Sequence, residues 1–224
     1  MADGKTRFVD LSHVIEPGMT SYKGLPGPIL GDYWSREASA AMYDDGSSFH
    51  IGRIDMVANT GTYIDAPFHR YAEGADIAML DLAALAGLDG IVVRAPHADR
   101  RAIEGRDVAG RDLRGKAVLI HTGWDEHWRT ERYFTDHPFV TGEAARLLVQ
   151  GGAKLVGIDS HNIDDTRGRA RHVHSMLLGA GVIICEHMTN LAALPDSGFS
   201  FSAVPPRITG MGSFPVRAYA EVAV

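Results

Sequence analysis

The chain has 224 residues, 45% of them hydrophobic and 22% charged, so it can bury one sizeable core as a single domain spanning 1–224. Its 22 basic and 28 acidic side chains give a formal net charge of −6, which argues against a nucleic-acid partner. The start of the chain carries no apolar signal stretch, and no run approaches the ~18 apolar residues of a membrane span, so a cytoplasmic protein without a membrane partner is expected.

In chain order, short apolar runs bounded by turn residues read as strands at 8–11, 54–58, 91–93, 117–120, 154–158, 182–185 and 216–222. The run at 54–58 alternates, with Ile54, Met56 and Ala58 on one side. A first helix is expected at 77–85. A second spans 142–150, with Thr141 as its cap, Glu143 in its first turn and Gly151 at its end. A short third helix is expected at 173–178. The runs at 117–120 and 182–185 are apolar on consecutive positions, so both faces should be covered. Cys185, the only cysteine, lies in the second of these runs; it reads as a buried structural thiol, excludes an intrachain disulfide and fits a reducing compartment. Strands outnumber helices, which implies an α/β single domain with mixed β-sheets and few helices.

Titratable residues gather in two places. One is 59–69, with Asp65 and His69 on either side of Pro67; the other is 159–186, with His161, Asp164, Asp165, His172, His174 and Glu186. Asp65 and His69 can share a site as metal ligand and general base, mounted on a turn after the 54–58 strand. His172 would point away from His174 in an extended segment. Glu186 follows an apolar strand, where burying a carboxylate is costly without a metal or cationic partner.

The first segment resembles the signature of the cyclase superfamily that contains bacterial kynurenine formamidase, His-x-Gly-Thr-His-x-Asp-x-Pro-x-His. Gly61, Thr62, Asp65, Pro67 and His69 stand in register with it. The likeness extends through Asp10-Leu11-Ser12-His13, Val118 to Trp124, Leu155 to Asp159, His174 to Leu178, Glu186, and Gly210, Pro215, Arg217 and Ala218. The resemblance implies the swivelling β/β/α fold. It also implies metal-assisted hydrolysis of an amide or lactone in a small, aromatic substrate, as in tryptophan catabolism to kynurenine. Asp65, His174 and Glu186 then occupy metal-ligand positions and His69 the proton-transfer position. The family uses one or two ions of zinc or manganese and forms homodimers or homotetramers.

Two signature histidines are replaced, by Asn59 and Tyr63. Neutral Asn is a weak ligand, and a Tyr ligates only as phenolate, so a single divalent metal is expected in place of two. Tyr63 is then a packing residue or a donor to the developing oxyanion, and Asn59 a turn or substrate-binding residue. Tyr22 is expected to line the substrate pocket. Trp34, Trp124, Trp128 and Tyr133 read as core or interface aromatics. A relocated metal site at His161, Asp164 and Asp165 competes with solvated or turn-capping roles for them. Two other readings stay open: a metal-free acid–base enzyme using His69, Asp65 and Tyr63, and a non-catalytic small-molecule binding protein.

Overall fold

A computed structural model describes residues 5–223. Its first strands are β1 (Thr6–Asp10), β2 (Ile29–Trp34), β3 (Ile51–Asp55) and β4 (Tyr63–Asp65), with a short helix α1 (Arg36–Ala40) between β2 and β3. The middle of the chain supplies β5 (Leu88–Arg94), β6 (Ala102–Ile103), α2 (Gly105–Val108), β7 (Ala117–His121), β8 (Phe139–Val140) and α3 (Gly142–Gln150). The remainder forms β9 (Leu155–Ile158), α4 (His172–Gly179), β10 (Ile183–Glu186), β11 (Ser197–Ser202), β12 (Ser213–Pro215) and β13 (Tyr219–Ala223).

One 9-stranded sheet runs in the order β1-β13-β11-β5-β7-β9-β10-β4-β12. Its central strands β5, β7, β9 and β10 are parallel, and the outer pairs are antiparallel. Along β7, side chains alternate between two cores. Ala117 and Leu119 join Leu11, Ile64, Phe199 and Phe201 on one face; Val118 and Ile120 join Leu148, Val173 and Leu177 on the other. Val9 of β1 and Ile64 of β4 lie far apart in the sheet order yet share the first core, so the sheet curls around it. The second core is roofed by α3 and α4. The expected α/β domain with a mixed sheet and few helices is therefore what forms.

Helix α3 matches its expected bounds, and the Thr141 hydroxyl accepts from the Ala144 N–H at 3.3 Å. The helix expected at 77–85 does not form. Two single 3₁₀ turns stand there, Ile77–Met79 and Leu82–Ala84, because the Asp76 and Asp81 carboxylates each cap their own turn and break the ladder. The strand expected at 54–58 is also corrected: β3 ends at Asp55 and pairs only with β2, in an exposed hairpin. His172 is helical, not extended, and exposed at the start of α4. The last strand starts at Tyr219 and not at 216. No helix of the described residues is long and apolar enough to cross a membrane.

Candidate active site

Strand β4 is three residues long and carries the site. Tyr63 and Asp65 point to one face, while Ile64 between them enters the first core. Each site residue meets its cross-strand neighbour: Tyr63 lies opposite Glu186 on β10, and Asp65 lies opposite Ser213 on β12. The Tyr63 hydroxyl donates to Glu186 Oε2 at 2.5 Å, and the Ser213 hydroxyl donates to Asp65 Oδ1. Gly61, just before β4, adopts φ +65°, a left-handed turn that glycine tolerates, and its N–H donates to the Ser21 hydroxyl. Gly212 is needed for a different reason. A Cβ there would lie 2.6 Å from the His69 Cα, so only glycine lets β12 approach the turn holding His69.

The second titratable segment brings His174 against this strand. The Asp164 carboxylate accepts from the backbone N–H groups of Val173 and His174, capping α4, and pairs with His174 Nδ1 at 2.7 Å. Nδ1 therefore carries the proton, and Nε2 faces Asp65 Oδ2 and Glu186 Oε1, 3.5 Å from each. Burial opposes charge on this ring, but the facing Glu186, Asp164 and Asp65 carboxylates overcome it and push its pKa up to about 10. Burial acts on Glu186 as well, raising its carboxyl to about 7 against the pull of His174. The pocket thus calls for a positive charge. Tyr63 is driven the other way: burial, then the Glu186 and Asp65 charges, hold its hydroxyl well above its ordinary value. It stays a neutral hydrogen-bond donor, its hydroxyl committed to Glu186.

Tyr22, Leu25, Asn59, Arg70, Asn162 and Arg171 complete a cleft of about 290 Å³ over Asp65, His69, His174 and Glu186. The Asn59 amide reaches Asp65 Oδ1 at 3.5 Å. His69 is one-third exposed at the cleft and lies 3.6 Å from Asp65 Oδ1. Ser213 connects the two: its single hydroxyl hydrogen goes to the acceptor-only Asp65 carboxylate, so its oxygen accepts from His69 Nδ1 at 3.0 Å. That bond fixes the tautomer and leaves His69 Nε2 free to take a proton. Sequence reading missed Ser213, because residue 213 becomes a neighbour of Asp65 only through strand pairing.

The seven residues singled out in sequence, Tyr22, Asn59, Tyr63, Asp65, His69, His174 and Glu186, all line this one cleft. His161 and Asp165 do not. His161 is buried beneath Tyr22, with ring centroids 4.7 Å apart, so it is not the solvated residue expected. Asp165 turns outward to Arg167 at 2.7 Å. Trp124 and Tyr133 are core residues, while Trp34 is exposed on the β2–β3 hairpin.

A divalent ion suits these residues on one observation above all. Asp65 is fully buried, and its Oδ2 has no hydrogen-bond partner. An unpaired buried carboxylate oxygen is costly, and a cation beside it removes the cost. Asp65, His69 and His174 each offer a ligand atom within 4.8 Å of the others. Glu186 Oε1 adds a fourth donor, although it also accepts from the Ile163 N–H at 2.7 Å. Carboxylates with imidazoles suit zinc or manganese.

Fold and site together define a class: a hydrolase whose half-open cleft brings together carboxylates and imidazoles that suit one metal, with His69 at its exposed edge. Residues 9–165 match the family model described as Putative cyclase, and the chain belongs to that family. It is similar to the kynurenine formamidase of Bacillus cytotoxicus, with 28% identity over 214 residues covering 95% of this chain and 96% of that protein. The kynurenine formamidase of Bacillus cereus is 25% identical over 217 residues, with the same shares covered. A solved structure described as a potential metal-dependent hydrolase with cyclase activity superposes with a TM-score of 0.79 at 27% identity, covering 98% of this chain and all of that one. Isatin hydrolase A from Labrenzia aggregata shares the fold with a TM-score of 0.82 at 23% identity, covering 98% of this chain and 94% of that one.

Proposed function

We propose that the chain hydrolyses an amide or lactone bond in a small aromatic substrate, with an aryl formamide such as N-formylkynurenine as the leading candidate. It would act in the cytoplasm, in tryptophan catabolism to kynurenine. The observation that carries this reading is the partnerless Asp65 Oδ2 facing His174 Nε2 in a cleft that also holds a tautomer-fixed His69.

Asp65, His174 and Glu186 would hold one zinc or manganese ion, with His69 in reach. When bound, such an ion acidifies a water and polarises a carbonyl. His69 Nε2 takes the proton of the attacking water and returns it to the leaving nitrogen or oxygen. Ser213 and Asp65 keep the His69 ring in the orientation this requires. Tyr63 holds Glu186 in place from its far oxygen, since its hydroxyl is committed at 2.5 Å. Tyr22 and Leu25 offer apolar surface to a substrate ring, and Asn59 offers an amide beside Asp65. In the metal-free alternative Asp65 Oδ2 faces only the His174 ring, 3.5 Å away, and makes no hydrogen bond.

Elemental analysis of protein purified without added metal or chelator tests this reading, together with assays on aryl formamides and lactones. About one equivalent of zinc or manganese, with turnover lost to a chelator and restored by the metal, is the expected result. Turnover indifferent to chelation would overturn it.

The exposed β2–β3 hairpin supports a homodimer or homotetramer. Ile29, Tyr33, Ile51 and Ile54 stand in water on it, and a two-stranded ribbon is marginal by itself. Light scattering should give the mass of a dimer or tetramer, and Tyr33→Glu with Ile54→Glu should give monomers. A wild-type monomer mass would rule this assembly out.

A further inference from the structure

A second convergence of ligand atoms lies away from the cleft, where the loop after β5 meets the turn after β7. His97 Nε2 lies 3.0 Å from Glu126 Oε1, and His127 Nε2 comes within 3.3 Å of the same oxygen. The three donors lie within 4.8 Å of one another, and none of them lines the cleft. His127 Nε2 is shielded from solvent and lacks the alignment of a hydrogen bond to Glu126, so it is left without a partner. Two imidazole nitrogens within 3.3 Å of one carboxylate oxygen, only one of them hydrogen-bonded to it, is an arrangement that a small cation satisfies better than a shared proton.

The mount is rigid. The His97 N–H donates to the Thr122 carbonyl at 2.9 Å, while the buried Asp159 carboxylate accepts from the N–H groups of Thr122 and Gly123. Trp124 packs edge-on under both imidazoles, 5.1 Å from His97 and 4.5 Å from His127 between ring centroids. Its indole N–H is anchored to the Tyr133 carbonyl at 3.0 Å. Glu126 is mostly exposed, supplies the compensating negative charge and leaves a coordination position open to water.

We propose that His97, Glu126 and His127 form a second divalent-metal site for a borderline transition ion such as zinc or nickel, separate from the catalytic cleft. Two imidazoles and one carboxylate make a set that favours these ions over magnesium or calcium. Occupancy ties the loop after β5 to the turn after β7. It therefore stabilises the fold by mass action, independently of whether the cleft holds metal or turns over substrate.

The test uses the full chain, stripped with a chelator and dialysed against zinc. Wild type, His97→Ala and Glu126→Gln are compared by elemental analysis, and the same three are repeated with Asp65→Asn in the background. Glu126 is exposed and Gln is nearly isosteric, so that variant keeps the fold even if His97→Ala does not. The expected result is one zinc equivalent lost on Glu126→Gln in both backgrounds, with a zinc-dependent rise in Tm lost along with it. Nickel(II) should also quench part of the tryptophan fluorescence of wild type, through Trp124, and should not quench that part in Glu126→Gln. Unchanged zinc stoichiometry and unchanged nickel quenching in Glu126→Gln would overturn the site. Failure of the cleft reading would show differently, as zinc stoichiometry that Asp65→Asn leaves untouched.

Discussion

Asp65→Asn lowers kcat/KM for an aryl formamide by about 10³-fold or more, on the scale of losing a preorganised charge or a general base. Asn nearly preserves the shape and can still accept from the Ser213 hydroxyl, so the fold survives. The variant removes the carboxylate charge, and with it the Oδ2 oxygen that has no hydrogen-bond partner. Both metal retention and the orientation of His69 depend on that carboxylate, so the loss falls on kcat and on metal content together. His69→Gln provides the contrast, with kcat falling about 10²–10⁴-fold while the metal stays bound. Steady-state kinetics with elemental analysis on the same samples separates the two. Full activity in Asp65→Asn would remove the site from consideration.

Stability falls steeply as pH drops from about 6.5 towards 4.5. Burial lowers the pKa of His13 and His137 to about 4 and that of His161 to about 3, and it holds His187 well below its ordinary value. The unfolded chain takes up these protons near pH 6.5, whereas the folded chain refuses them until about pH 4. The stability that these four neutral rings contribute is therefore fully present above 6.5 and is lost across that window as the pH falls. Two buried carboxyls work in the opposite direction. Asp159 and Glu186 are both pushed up to about 7, chiefly by burial, and the fold holds their protons more tightly than the unfolded chain does. The histidines outnumber the two carboxyls, so the net slope is a loss of stability as the pH falls, on the order of 1 kcal/mol or more per pH unit. Across the window that is a noticeable share of the roughly 5–15 kcal/mol typical of a domain. Denaturant unfolding at several pH values reads the slope directly, and His161→Phe should reduce it by about one proton. A slope near zero between pH 6.5 and 4.5 would contradict the burial of these rings as neutral groups.

Several elements were legible from local chemistry. Helix α3 was readable end to end because Thr141, Glu143 and Gly151 mark its boundaries independently of its surroundings. Strands β7 and β10 were readable because burial on both faces demands unbroken apolar runs. Two other strands that carry the site were not. β4 and β12 are three residues each, too short to show a period, and they form because β4 pairs with β10 and β12 pairs with β4. The helix expected at 77–85 had the right apolar spacing, but two aspartate side chains satisfied the backbone locally before a second turn could form.

For the site, the sequence by itself determined which groups were available: Asp65 and His69 in one segment, His174 and Glu186 in another, and Asn59 and Tyr63 where two histidines of the family signature would stand. Residue type shows that these groups are present, and the family resemblance assigns them to one site; neither needs a fold to be read. Only the tertiary structure decided that Tyr63 is spent on Glu186, that Asp164 orients His174, and that Ser213 sets the tautomer of His69. It alone left Asp65 Oδ2 without a partner. Each of these facts depends on cross-strand register or on burial. Register joins residues 123 and 148 positions apart, and burial fixes whether a carboxylate, phenol or imidazole carries charge, so neither can be read from the order of residues along the chain.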